Sequence, residues 1–198
     1  MTLLPILLIM GAVRVWNHRG PARAQPFTGP IAAFLLVTVS GLSPSEVGLT
    51  LSGLWYAGAA LLLVAVGYAV ALAIPATRRA LAARSFDHPV RRALIGVPLS
   101  TVLFEEVAFR GVLWTLLYQD HGPVWAYAIT ALLFGLWHLP VTREVAFTTL
   151  AGVVLSFLRH AGGGLLAPLV LHWTANGLGI LASAWVRRSM QADSGRTE

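Results

Sequence analysis

The chain contains no cysteine and no lysine, and only eight acidic side chains in 198 residues. Without cysteine there are no disulfide staples and no thiolate chemistry, and the redox compartment leaves no trace. Without lysine, the whole net charge of +6 rests on arginine. Those arginines cluster beside apolar runs, a pattern that orients a chain in a membrane and argues against a nucleic-acid partner. Charge is scarce altogether: 11% of residues, against roughly 25% in a soluble domain. Internal repeats and low-complexity tracts are also missing. What remains is 57% hydrophobic, with mean hydropathy +0.72 and its apolar residues gathered into long runs. The expectation is an all-α, polytopic transmembrane helical bundle, one integral membrane domain over residues 1–198.

Seven runs are candidate spans: 2–16, 27–42, 53–75, 93–118, 122–139, 145–158 and 164–186. A bilayer core asks for about 20 apolar residues, so the third, fourth and seventh are long enough and the first, second and sixth are short. The first run lacks a preceding basic residue, so it reads as a helix rather than a signal peptide, although "ARA" at 22–24 resembles a cleavage site. With the N-terminus outside, the inner loops 14–26, 76–92 and 140–144 and the polar tail 187–198 hold twelve arginines, Arg143 and Arg196 among them. The outer loops hold only Arg159, and Arg110 lies within a span. That asymmetry places the arginine-rich loops and the C-terminus in the cytoplasm, and the chain in the cell's inner or plasma membrane.

The fourth span is unusual. "FEEVAFRGVL", residues 104–113, sets Glu105, Glu106 and Arg110 in an otherwise apolar helix. Three mid-helix charges cost roughly 8–10 kcal/mol on insertion scales, and the surrounding apolar residues recover only part of it. The helix therefore needs polar partners from its neighbours. Glu106 and Arg110, spaced i,i+4, can pair as a buried ion pair that fixes packing. Glu105 points about 100° away and has no partner on its own helix. An unpartnered carboxylate inside a membrane is a functional group until shown otherwise.

Two later spans carry polar groups too. "FGLWHLP" places His138 four residues after Phe134, and "LHWTANG" places His172 and Asn176 one turn apart on one helix face. Singly, His138 reads as an interfacial histidine beside Trp137, and His172 and Asn176 serve equally well as interhelical hydrogen-bond glue. Together they are one free carboxylate, two imidazoles and an amide. That set suits water activation and oxyanion stabilisation. His18, His88, His121 and His160 sit in loops or flanks and read as solvated. Trp16, Trp55, Trp125 and Trp185 read as interfacial anchors.

In order, "EEVAFR", "FGLWH" and "HWTAN" resemble the EExxxR, FxxxH and HxxxN motifs of the CPBP intramembrane proteases. That family includes the CAAX prenyl endopeptidases and the bacteriocin-processing or self-immunity (Abi-like) proteins. The resemblance spans about residues 90–186 and departs from no motif position. It implies a four-helix catalytic core with Glu105 as general base, His138 assisting, and His172 and Asn176 stabilising the oxyanion. Glu106 and Arg110 would support the site, with Phe134 as the motif's aromatic position. It also implies membrane lipid around the chain and a membrane-associated peptide or protein substrate, with prenylated substrates included. Glu105, His138 and His172 would be the ligands if zinc were used, but no HExxH is present and the favoured reading has no cofactor. A non-catalytic immunity or scaffold protein is the alternative. A proton-coupled transporter is disfavoured by the lack of inverted repeats.

Depth poses a problem on this map. Glu105 lies about twelve residues into a span beginning at Ala93, whereas His138 lies near the inner end of its own. At 1.5 Å per residue they differ by more than about 10 Å. A polar cavity on the cytoplasmic half, lined by Glu105, His138, His172 and Asn176, is therefore expected to bring them to one water.

Overall fold

The computed structural model describes residues 3–139 and 142–194, and every regular element among them is helical. Seven long helical segments follow the seven apolar runs. They are α1 (Leu3–Arg19), α2 (Gln25–Ser40), α4 (Leu54–Ala73), α6 (residues 89–121), α7 (Pro123–Leu136), α8 (Thr142–Gly162) and α9 (Leu166–Ser194). Two short helices, α3 (Pro44–Val47) and α5 (Pro75–Ala82), sit between them. Among the described residues, Leu54–Ala73, Glu144–Gly162 and Leu166–Ala192 are long and apolar enough to cross a membrane. Gln25–Ser40 and Pro123–Leu136 are shorter apolar helices.

The surface explains the composition. Trp55, Phe34 and Phe147 are each more than 70% exposed, and leucines such as Leu51, Leu54 and Leu63 stand out beside them. Water would not tolerate so much contiguous apolar surface, whereas hydrocarbon accepts it freely. The ionisable groups Glu105, Glu106, Arg110 and Arg159 are buried instead. An apolar exterior over an apolar core with a few buried charges is what an integral membrane protein presents.

Helix α6 is the hub. It starts at Pro89, after His88 in the left-handed region (φ 46°), and ends at Gly122 (φ 81°), where Pro123 opens α7. Between these stops the chain alternates α turns with π-helical stretches at residues 92–96, 98–102 and 107–113. Such insertions are rare, and they often occur at functional sites. Residues 104–117 are buried without a break. Helix α2 reaches α6 where Gly29 lies against the Leu99 carbonyl, an approach that any side chain would obstruct.

Around α6, α7 and α8 form a close pair. A Cβ on Gly152 would stand 2.9 Å from Ala131 Cα, and one on Gly135 would stand 2.9 Å from the Val145 carbonyl. Thr130 and Ser156 share a buried hydrogen bond of 3.2 Å across the same seam. On the other side α9 packs along α4, where the Tyr68 hydroxyl donates to the Ala175 carbonyl at 2.7 Å. Helix α9 also reaches the start of α6, with Trp173 Nε1 donating to the Ala93 carbonyl at 2.9 Å.

Helix α3 opens on a capping box. Ser43 N donates to the Glu46 carboxylate at 2.8 Å and Glu46 N donates to Ser43 Oγ at 3.3 Å. The Ser43 hydroxyl also donates to that carboxylate and holds it below the usual range.

One reading needs correction. Helix α8 continues to Gly162, so Arg159 is a buried helical residue and not an outer-loop one. The polar tail after residue 186 is helical through Ser194. The Arg143 side chain and Arg196 lie outside the described residues.

Candidate functional site

Glu105, Glu106 and Arg110 project from the buried middle of α6, and all three are at most 4% exposed. Arg110 Nη1 donates to Glu106 Oε1 at 3.2 Å, so the expected ion pair forms. The same oxygen lies 2.7 Å from Nδ1 of His172 on α9. A carboxylate oxygen only accepts, so Nδ1 carries the hydrogen in this contact. The other ring nitrogen, Nε2, then faces Glu105, 3.9 Å from its Oε2. That gap is too long for a direct hydrogen bond, and a water bonded to both atoms would have to bridge them from the side.

His138 is set by a parallel logic. Its Nδ1 lies 2.8 Å from the Phe134 carbonyl, which can only accept, so Nδ1 is again the donor and Nε2 is left outward. His138 sits just past α7, in the turn that ends the helix.

Phe134 is buried and touches nearly every polar head. The Arg110 guanidinium carbon lies 4.0 Å from its ring centroid. The His138 and His172 rings meet it edge-on, at centroid separations of 5.0 and 5.9 Å. Phe109 adds a T-shaped contact at 5.3 Å. Gly135, next to Phe134, admits α8 at close range and so holds this end of α7 in place.

Sequence reasoning missed Trp137. Its Nε1 donates to Glu105 Oε1 at 3.0 Å, giving Glu105 the partner its own helix cannot supply. Arg14 of α1 lies over the Trp137 ring at 5.4 Å, bonds the Leu139 carbonyl and interacts electrostatically with Glu105. The signal available was the motif's own tryptophan, read instead as part of an interfacial setting. A second omission is Arg159, which donates to the Arg110 carbonyl at 3.1 Å and to the Glu46 carbonyl at 2.8 Å. It ties α3 and α8 to the turn of α6 that carries Arg110.

Asn176 lies one turn beyond His172 on α9 and is exposed, with no side-chain hydrogen bond among the described residues. The structure thus joins Glu105, Glu106, Arg110, Phe134 and His172 directly. It adds His138 through Phe134 and leaves Asn176 at the edge. His160 is exposed, in keeping with the solvated reading, and also lies 3.2 Å from the Tyr127 hydroxyl and tilted against Trp114.

The depth mismatch disappears on a different count. Helices α6 and α7 meet at Gly122; Glu105 precedes it by 17 residues and Trp137 follows it by 15. Measured from that shared turn, the two side chains are level. Helix α7 has only 14 residues, about 21 Å. Two cavities, of about 910 and 280 Å³, lie elsewhere, and neither is lined by Glu105, His138, His172 or Asn176.

Four buried side-chain atoms of the site have no protein partner among the described residues: Oε2 of Glu105, Oε2 of Glu106, and Nε and Nη2 of Arg110. Each such atom typically costs 1–3 kcal/mol, so a cluster of them marks a place built to meet something else. No three His, Asp or Glu side chains gather as a metal-binding group among the described residues.

Residues 89–178 match the family described as Type II CAAX prenyl endopeptidase Rce1-like. No curated protein and no solved structure matches the chain.

Proposed function

Because residues 89–178 match this family, we propose that the chain is an intramembrane endopeptidase. It would hydrolyse a peptide bond of a membrane-associated substrate, prenylated or otherwise lipidated, by water that Glu105 activates. The observation that carries the reading is Glu105 itself. It is buried, held on one oxygen by Trp137, and presents its unpartnered Oε2 to Nε2 of His172 across 3.9 Å.

A water bridging those atoms from the side would give a proton to Oε2 while its oxygen attacks the scissile carbonyl. His138 offers the nitrogen opposite its Phe134 bond to orient that water. As an imidazolium, with hydrogens on both ring nitrogens, His172 would stabilise the oxyanion through Nε2, with Asn176 one turn further along α9. Glu106 holds the His172 ring through Nδ1, and Arg110 holds Glu106. The proton on Glu105 then passes to the leaving amine as the intermediate collapses. All steps use this chain's own residues, without a cofactor. In this reading all seven long helices cross the membrane, α6 to α9 form the catalytic core, and the arginine-rich loops and C-terminus face the cytoplasm.

The test compares wild type with Glu105→Gln on a farnesylated CAAX reporter peptide, in detergent and in vesicles. The amide keeps the shape and loses the base, so cleavage disappears while yield and thermal stability persist. Undiminished cleavage by Glu105→Gln refutes the general-base role. A wild-type chain that releases no fragment from any lipidated reporter favours the scaffold alternative.

A further inference from the structure

The 910 Å³ cavity lies away from the carboxylates, between the start of α2 and the first turns of α6. Its rim brings together two stretches far apart in sequence, residues 23–31 and 87–101. Arg23 comes from the first, and Arg91 and Arg92 from the second. All three are exposed, and none forms an ion pair within 4.0 Å among the described residues. Arg92 rests over the Phe86 ring at 5.4 Å, which steadies its stem without neutralising its charge. Asp87 is the one acidic residue on the rim, so the local balance is strongly positive.

The rest of the wall is apolar. Phe27, Ile31 and Ile95 line it and are largely exposed. The gap is therefore amphipathic, lined by three arginines and by hydrocarbon. Its volume matches that of typical small-molecule sites. The backbone at its rim is also under constraint. His88, which lines the cavity, is the only non-glycine residue with positive φ among the described residues, and such strain persists where the surroundings enforce it.

We propose that this cavity binds one anionic phospholipid, its phosphate on Arg23, Arg91 and Arg92 and an acyl chain along Phe27, Ile31 and Ile95. The charge pattern selects the occupant. Guanidinium groups bind phosphate oxygens in pairs, whereas a zwitterionic headgroup brings its own cation into a site already rich in positive charge. The apolar wall selects against a free phosphate, which has nothing to place there. Basic pockets between helices at the membrane surface recognise anionic headgroups on these grounds. The proposal does not depend on the peptidase reading, because no residue of the cavity belongs to that site.

The experiment is native mass spectrometry of the full chain in detergent, titrated with phosphatidylglycerol or with phosphatidylcholine of the same acyl chains. Wild type should retain one phosphatidylglycerol at lipid concentrations where phosphatidylcholine is lost. Arg91→Gln/Arg92→Gln should weaken that retention roughly thirtyfold, about fivefold per arginine. These side chains are exposed, so the variant remains folded, which thermal unfolding verifies. Arg79→Gln/Arg188→Gln removes the same charge outside the cavity and should retain the lipid as wild type does. Equal retention of the two lipids overturns the proposal, as does equal loss in both double variants. Displacement of the lipid by millimolar inorganic phosphate also overturns it, because the site would then belong to a soluble anion.

Discussion

Replacing Arg110 by methionine keeps most of the side chain's volume and removes its charge. Arg110 is fully buried, donates to Glu106 Oε1 at 3.2 Å and lies over Phe134 at 4.0 Å. Glu106 would then keep only the His172 Nδ1 contact. Breaking one side of a buried ion pair costs about 3–5 kcal/mol, and a desolvated cation–π contact is worth about 2 kcal/mol, part of the same loss. Taking about 4 kcal/mol, a chain of this size should lose about 8–16 °C in Tm. The seven tryptophans make intrinsic fluorescence in detergent a direct readout. The double variant Glu106→Gln/Arg110→Met removes both charges and should recover at least half the loss, because no carboxylate is left stranded. An Arg110→Met protein that melts within about 1 °C of wild type refutes the ion-pair account. A double variant as unstable as the single one shows that packing around Arg110, not charge, sets the cost.

Other expectations are narrower. Trp137→Phe removes the donor to Glu105 while keeping an aromatic ring, and a hydrogen bond to a charged group is worth about 1.5–3 kcal/mol. Cleavage should fall roughly ten- to hundredfold in kcat with little change in Tm; unchanged kcat would remove Trp137 from the site. Gly135→Leu would force side-chain atoms into the Val145 carbonyl and Thr149, an overpacking that typically costs 1–3 kcal/mol. Lower Tm together with lost activity is expected, and a stable variant would contradict the close α7–α8 approach. Treatment with EDTA or 1,10-phenanthroline should leave cleavage unchanged; loss restored by zinc would reverse the cofactor-free proposal.

Much of this architecture can be read in the sequence, and the reasons for the gaps are specific. Long apolar runs announce helices whatever their partners, so the seven segments and the Glu106–Arg110 pair follow directly. Arg159 was misplaced because "RHAGGG" resembles the start of a loop, and nothing in the sequence reveals that two backbone carbonyls wait for its guanidinium. Trp137 was overlooked because a tryptophan near a helix end serves equally well as an anchor or as a donor. The depths of Glu105 and His138 were counted from the inner surface, although the turn at Gly122 sets them level. The π-helical stretches of α6 have no composition signature and emerge only from packing.

Phe134 has a consequence beyond geometry. A hydrolytic site within a bilayer must let water in, and water competes for each hydrogen bond that aims its donors. It does not compete well for the face of a buried ring. With the guanidinium over that face and both imidazoles in T-shaped contact with the ring, the heads of the site keep their bearings through contacts that wetting does not exchange. An apolar side chain thus lets a polar site become wet without becoming loose.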